Sequence, residues 1–380
     1  MFPPDILLPG PTPVPTAIEQ AMLTPMSDHR GQLFQPIHDG VYDKLGILFQ
    51  LPQDGAAAVI PSSGTGALEA AVQNFFAPND RVLAVTTGAF GQRFAEAARA
   101  MDLEVEEMAV PWGSAFTVEE VLDRIHRASY RGVLVTHNET STGVTNPVVE
   151  LARHWPRAGD RPLLVVDSIS GVPSIPLTFD EAPVDVLIAA SQKGFMCPPG
   201  LGILLVSGYA LKKRPTTRRG RFYFDLAPYF DRQLPYTPAV SLWYGLHQAL
   251  DLLLQEGASR RWARHRLLAS MTRRFGEVGG FSPLVAEPIA SATVTALGVP
   301  TGLTPQAVRA AVAARGLQIA GGMGPWAKTA IRIGHVGAVT PQALFGGLAV
   351  LAHLSPRPTE ALAAAWDVWR QAAQDSGPSR

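Results

Sequence analysis

Asp167 and Lys193 are the residues of this 380-residue chain whose setting asks for chemistry. Lysine is scarce: Lys44, Lys193, Lys212, Lys213 and Lys328 are the only ones, and arginine supplies the other positive charges. Arginine cannot shed its proton to become a nucleophile, whereas a desolvated lysine can. In a chain that favours arginine, a lysine set between apolar runs points to amine chemistry. Asp167 stands 26 residues earlier, at the end of Leu163-Leu164-Val165-Val166. An acid and an amine that reach one small molecule can tune its charge and move a proton on it.

Strands must position both groups. Leu163 to Val166 reads as a buried strand ending in Asp167, and Val184 to Ala190 as a second one that delivers Ser191-Gln192-Lys193-Gly194. Uniformly apolar strands are covered on both faces, as in parallel sheets. In open α/β sheets, ligands collect beyond the carboxyl ends of such strands. Further strands are expected at Ala56 to Ile60, Arg81 to Val85, Glu104 to Val110, Gly132 to Thr136 and Ile203 to Val206. Helices are expected between them, including Ala67 to Phe76 and Thr117 to Tyr130, the latter opened by a Thr117/Glu120 capping box.

The fold expected is α/β: a large domain with a mostly parallel central sheet flanked by helices, plus a smaller α+β C-terminal domain. Residues 1–15 are too rich in proline for a helix or a central strand and read as an extended arm. Residues 16–256 form the large domain and 257–380 the small one. Gly257 ends the helix Leu242 to Glu256 as a C-cap. The small domain holds a long helix through Gly276, strands at Thr293 to Gly298 and Ala330 to Ile333, and a helix from Pro305 to Arg315.

Composition excludes several classes. Formal charge is zero, which argues against a nucleic-acid or anionic-membrane partner. The basic stretch Lys212 to Arg221 reads as a solvated or intersubunit loop. One cysteine, Cys197, excludes an intrachain disulfide framework and a thiolate metal cluster. No run is long and apolar enough for a membrane span, and the N-terminus lacks the pattern of a secretory signal. A soluble, cytoplasmic enzyme is expected. His137 and Glu139 lack a third ligand at usable spacing, so no metal site is expected.

Two turns add binding capacity. Ser63-Gly64-Thr65-Gly66 joins a strand to a helix; small residues, hydroxyl donors and a helix N-terminus together make an anion site. Arg332, in Ile331-Arg332-Ile333-Gly334-His335, offers a planar fork to a carboxylate.

Taken together, the run Leu163 to Gly202, the Ser63 to Ala67 turn, His137-Asn138-Glu139-Thr140-Ser141-Thr142-Gly143, Tyr236-Thr237-Pro238-Ala239-Val240-Ser241 and the Arg332 motif resemble class V aminotransferases. These are pyridoxal 5′-phosphate (PLP) enzymes of fold type I, and the likeness is to alanine–glyoxylate and serine–pyruvate aminotransferases. It extends from Leu8 to about Leu351. By that resemblance, Lys193 forms the Schiff base with PLP and acts as the base, and Asp167 pairs with the pyridinium nitrogen. Ser63, Gly64 and Thr65 hold the phosphate, Phe90 stacks on the ring where many relatives have Trp, and Thr140 bonds the phenolic oxygen. Ile169 and Gln192 complete the cofactor contacts, and Arg332 grips the substrate's α-carboxylate. The counterpart of Thr237 reaches the partner subunit's phosphate, although Leu234 stands where some relatives carry a flanking Tyr.

The resemblance implies a homodimer with active sites at the subunit interface. It also places the His29-Arg30 loop near the substrate entrance and makes Gly316 to Gly324 a mobile loop. The expected reaction moves an amino group from a small L-amino acid, of alanine or serine type, to a 2-oxo acid such as glyoxylate or pyruvate, with ping-pong kinetics. Other readings stand beside it: a PLP-dependent lyase or desulfurase of the same fold, a nicotinamide oxidoreductase, or a non-catalytic subunit of PLP fold. The desulfurase lacks a mobile cysteine, since Cys197 lies in an apolar run. The oxidoreductase lacks the G-x-G-x-x-G fingerprint followed by an acid.

Overall fold

The computed structural model describes residues 5–215 and 220–375. Its strands in chain order are β1 (Asp5–Leu7), β2 (Ala56–Pro61), β3 (Arg81–Thr86), β4 (Glu104–Ala109), β5 (Gly132–Thr136), β6 (Asn138–Glu139) and β7 (Val144–Thr145). Then come β8 (Leu163–Asp167), β9 (Val186–Ala190), β10 (Leu201–Val206), β11 (Ser282–Pro283), β12 (Val294–Gly298), β13 (Leu317–Gly321) and β14 (Ala330–Gly334).

The larger sheet has the order β2-β10-β9-β8-β5-β3-β4. Strands β4, β3, β5, β8 and β9 are mutually parallel. β10 is antiparallel to both its neighbours, so β2 runs in the same direction as β9. Six strands therefore end at one edge of the sheet. Every residue of β5, β8, β9 and β10 is buried. Side chains alternate between faces: Leu164 and Val166 join one core, Leu163 and Val165 the other. That two-sided burial explains why these strands read as continuous apolar runs.

The smaller sheet has the order β1-β13-β14-β12-β11 and is antiparallel except for the β1–β13 pair. Its core draws Leu268, Met271 and Phe275 from helix Ala258–Gly279, and Leu344, Leu348 and Leu351 from helix Pro341–Ala352. Gly257, with φ +77°, joins the first of these to helix Val240–Glu256, where the expected C-cap lies.

Some expectations change. The segment from Gly316, expected as loop, contains β13. Leu317 and Ile319 point inward and Gln318 outward, and β1 and β14 flank the strand on either side. The loop proper is thus confined to residues 322–329. In the proline-rich arm, Asp5–Leu7 is free of proline and forms edge strand β1. The Thr117/Glu120 capping box is present, but its helix stops at Arg127 because Ala128 turns extended. The basic stretch falls partly outside the described residues, at positions 216–219. Among the described residues, no helix is long and apolar enough to cross a membrane.

Candidate active site

β5, β8 and β9 set the floor. In register, Thr136 lies opposite Asp167 and Asp167 opposite Ile188. Asp167 is therefore the last strand residue at the shared edge, and Lys193 follows β9 by three residues. The loop carrying Lys193 is pinned: Ser191 Oγ donates to the Pro198 carbonyl (2.7 Å), and Cys197 N–H donates to the Ser191 carbonyl (3.0 Å). Above that edge lies a cavity of about 140 Å³. Asp167, Lys193, Ile169, Gln192, Thr140, Phe90 and the Ser63-Gly64-Thr65 turn all line it. Nine residues singled out from scattered motifs thus meet in one place.

Both titratable groups on the floor are shifted by burial. Desolvation pushes the Asp167 carboxyl up to about 7, against the pull of the Ile169 N–H that donates to Oδ1 (3.0 Å). Desolvation brings the Lys193 amine down to about 8; Arg332 nearby pushes the same way and Asp167 opposes it. Lys193 Nζ donates to the Pro9 carbonyl (2.5 Å). The arm can cross there because residue 10 is glycine, with φ +120°; a Cβ at that position would collide with the Lys193 side chain.

The anion turn begins its helix earlier than expected, at Gly64 rather than Ala67. Ser63 is the N-cap, and its Oγ accepts from Gly66 N–H (3.2 Å). First-turn N–H groups have no partner within their helix, so those of Gly64 and Thr65 are available to a ligand. A Cβ on Gly64 would come within 2.8 Å of Ile169. Gln192 also lines the cavity, and its buried Oε1 has no partner among the described residues. A phosphorylated, ring-bearing aldehyde such as PLP fits this set: an anion cradle, a carboxylate, apolar Phe90 and Ile169, and an amine low enough in pKa to react.

Sequence reasoning missed Arg93, Asn138 and Ser170, which also line the cavity. Arg93 lies over the Phe90 ring, 4.9 Å from its centroid, one turn along the same helix. Ser170 Oγ accepts from Thr140 Oγ1 (2.6 Å) and from Asn138 Nδ2 (2.8 Å), and donates to the Asn138 carbonyl (2.8 Å). Asn138 Oδ1 in turn accepts from Ser291 Oγ (2.6 Å), so the wall is tied to the segment preceding β12. Glu139 is fully buried. Its carboxylate accepts from the N–H groups of Phe90 (3.1 Å), Gly91 (2.9 Å) and Ser141 (3.0 Å), which fixes the helix start that carries Phe90. His137, the other residue of that pair, bonds Ser168 Oγ (2.9 Å), and burial drops its pKa to about 4. Nothing in sequence spacing marks Glu139 as a helix anchor.

Other candidates lie outside the cavity lining. Arg332 sits on β14, where its Nη1 donates to the Thr140 carbonyl (2.9 Å) and its Nε to the Gly321 carbonyl (2.8 Å). Among the described residues, no group accepts from Nη2. Thr237 is exposed, and His29 is half-buried with Arg30 exposed. The Cys197 thiol is fully buried and pushed up to about 12, which suits packing and not thiolate chemistry.

Comparison with known proteins agrees with this geometry. Residues 28–327 match the family model described as aminotransferase class V. The chain is 36% identical to serine–glyoxylate aminotransferase of Hyphomicrobium methylovorum, over 91% of this chain and 88% of that protein. It is 34% identical to L-aspartate–glyoxylate aminotransferase of Paracoccus denitrificans, over 90% and 89%. Among solved structures, pyridoxamine–pyruvate aminotransferase of Mesorhizobium loti superposes with a TM-score of 0.90 at 25% identity, covering 97% of this chain and 98% of that one. With the cleft, the anion turn and the lysine all in place, the chain belongs to the class V aminotransferases, PLP-dependent enzymes of fold type I.

Proposed function

We propose that this enzyme carries an amino group from a small L-amino acid, of alanine or serine type, to glyoxylate or pyruvate. The observation behind the proposal is that the scarce lysine and the strand-end aspartate line one cavity beside an anion-binding helix start. PLP, when bound, supplies the aldehyde that takes up the amine and the ring that accepts electrons from the substrate's α-carbon.

The chain's own residues do the rest. Lys193 attaches the cofactor and, once released by substrate, shuttles the proton at the α-carbon; its pKa of about 8 gives a usable neutral fraction near neutrality. Asp167 would meet the cationic ring nitrogen as a carboxylate, since the nearby positive charge would draw its pKa back down, and would keep that nitrogen protonated. Ser63, Gly64, Thr65 and Gln192 would hold the phosphate, and Phe90 and Ile169 would offer apolar contact to the ring. Thr140 contacts the phenolic oxygen. Arg332 orients the substrate through its carboxylate, with Nη2 still free to donate.

We place this activity in a cytoplasmic homodimer. Leu23, Met26, Leu33 and Phe222 are 81, 72, 79 and 81% exposed, which suits burial against a second copy. In that dimer Thr237 reaches the partner's phosphate site. The chain divides near Gly257, with β1 joining the smaller unit.

The test is spectroscopic. The PLP-loaded protein should show a visible absorption band that L-alanine or L-serine bleaches. Lys193→Ala should abolish the band and cut turnover by about 10²- to 10⁴-fold, while leaving circular dichroism unchanged. A band that persists in the mutant rejects Lys193. A band that no amino acid moves rejects transamination. Double-reciprocal plots for paired amino and oxo acids should be parallel.

A further inference from the structure

Between β13 and β14, the turn at residues 322–329 carries Trp326, which is half-buried. Its ring stands edge-to-face against Trp112, with centroids 5.9 Å apart and planes at 75°. Trp112 belongs to the turn after β4, at the edge of the other sheet. The two turns exchange seats. A Cβ on Gly113 would come within 3.0 Å of the Trp326 ring, and one on Gly324 within 2.5 Å of the Trp112 ring. Both glycines have positive φ, +85° and +50°, so each turn presents bare backbone to the other's indole. Neither ring belongs to the main hydrophobic cores, and neither lines the cavity.

What the contact holds is the turn leading to Arg332. Gly322 N–H donates to the Ala330 carbonyl (2.8 Å), closing the base of the turn. Next to it, the Gly321 carbonyl takes the Arg332 Nε proton (2.8 Å). The guanidinium plane is therefore set from two sides, by Gly321 on the small sheet and by the Thr140 carbonyl in the turn between β6 and β7. Gly321 is the last β13 residue paired with β14, so displacing the adjoining 322–329 turn would disturb the first of these.

We infer that Trp112 and Trp326 form an intersheet clasp. They are positioning residues that lock the 322–329 turn, and through Gly321 hold the Arg332 fork ready for a substrate carboxylate. The inference rests on the carboxylate-binding reading of Arg332.

The experiment uses PLP-loaded full-length protein, with hydrogen exchange of the 321–333 backbone and steady-state kinetics. Trp112→Ala should speed exchange in 321–333, although it lies in the turn after β4, the edge strand of the other sheet. Trp112→Ala and Trp326→Ala should each raise KM for both amino and oxo acid about 3- to 10-fold, the effect expected of one edge-to-face pair. Their visible bands should stay in place and kcat should change less than twofold. Trp326→Phe, which keeps an edge for the contact, should restore most of the KM. The double alanine variant should be no worse than either single one. Unchanged exchange in Trp112→Ala overturns the clasp whatever Arg332 does. Faster exchange with an unchanged KM overturns its part in substrate binding. If Arg332→Leu itself leaves KM alone, the carboxylate reading fails, and exchange alone then decides whether the clasp exists.

Discussion

The floor of the cleft is made of strand ends buried on both faces, whereas its rim is made of turns from both sheets. Asp167 ends β8 and Lys193 sits in the pinned loop just after β9, two strands buried along their whole length. Arg332 and the Phe90 helix start are held instead by individual hydrogen bonds to carbonyls and to Glu139. Proton transfer tolerates little misplacement, and the two groups proposed for it sit at or just beyond the ends of fully buried strands. Recognition of differing substrates tolerates more, and its groups sit where a few bonds can be re-set.

Substitutions on the two parts should behave differently, and the largest contrast is at Asp167. Asp167→Asn should cut kcat about 10- to 1000-fold, matching the one to three pKa units that an adjacent opposite charge confers on a ring nitrogen. Its effect on the cofactor-free protein should be the reverse. The folded Asp167 carboxyl titrates near 7, above its ordinary 3.8, so the native state binds the extra proton between those values. This contribution to stability is full below about pH 4 and is lost as pH rises to about 7. Cofactor-free Asp167→Asn lacks that loss and should be more stable than the parent at pH 8, by on the order of a few kcal/mol. Denaturant melts of both proteins at pH 4.5 and pH 8 check this; a gap that shrinks as pH rises would refute it.

At the rim the effect should be smaller and confined to substrate. Arg332→Leu should raise KM for amino and oxo acids about 10- to 100-fold, the worth of charged hydrogen bonds to one carboxylate. The cofactor band should not move. Arg332→Lys should recover only part, because an ammonium cannot hold the Gly321 and Thr140 carbonyls and a carboxylate in one plane. A shift in the band with unchanged KM would place Arg332 with the floor. The mildest change belongs to Phe90. Phe90→Ala should weaken PLP about 2- to 10-fold, the value of one stacked ring pair, as read from fluorescence titration. If it weakens substrate and not PLP, Phe90 belongs to the rim.

The floor was legible because its signals are local. A strand buried on both faces has to be apolar throughout, and a carboxylate or amine closing such a run stands out. The anion turn was legible for the same reason, though its helix start was misjudged by three residues: two glycines argued for a loop until the Ser63 cap was seen. β13 escaped because five residues ending in Gly321 carry too little alternation to distinguish a strand from a turn. Glu139, Ser170 and Asn138 escaped because their partners come from separate elements, and spacing along the chain does not encode them.

By itself the sequence picked out the side chains proposed to carry the chemistry, since burial pattern and residue type are properties of short segments. Only the tertiary structure decided how they face one another. The pKa values of Asp167 and Lys193 come from desolvation, which exists only once the sheet and the arm close around them. The orientation of Arg332, and the meeting of Trp112 with Trp326, depend on two sheets folded against each other, a relation that no stretch of chain contains.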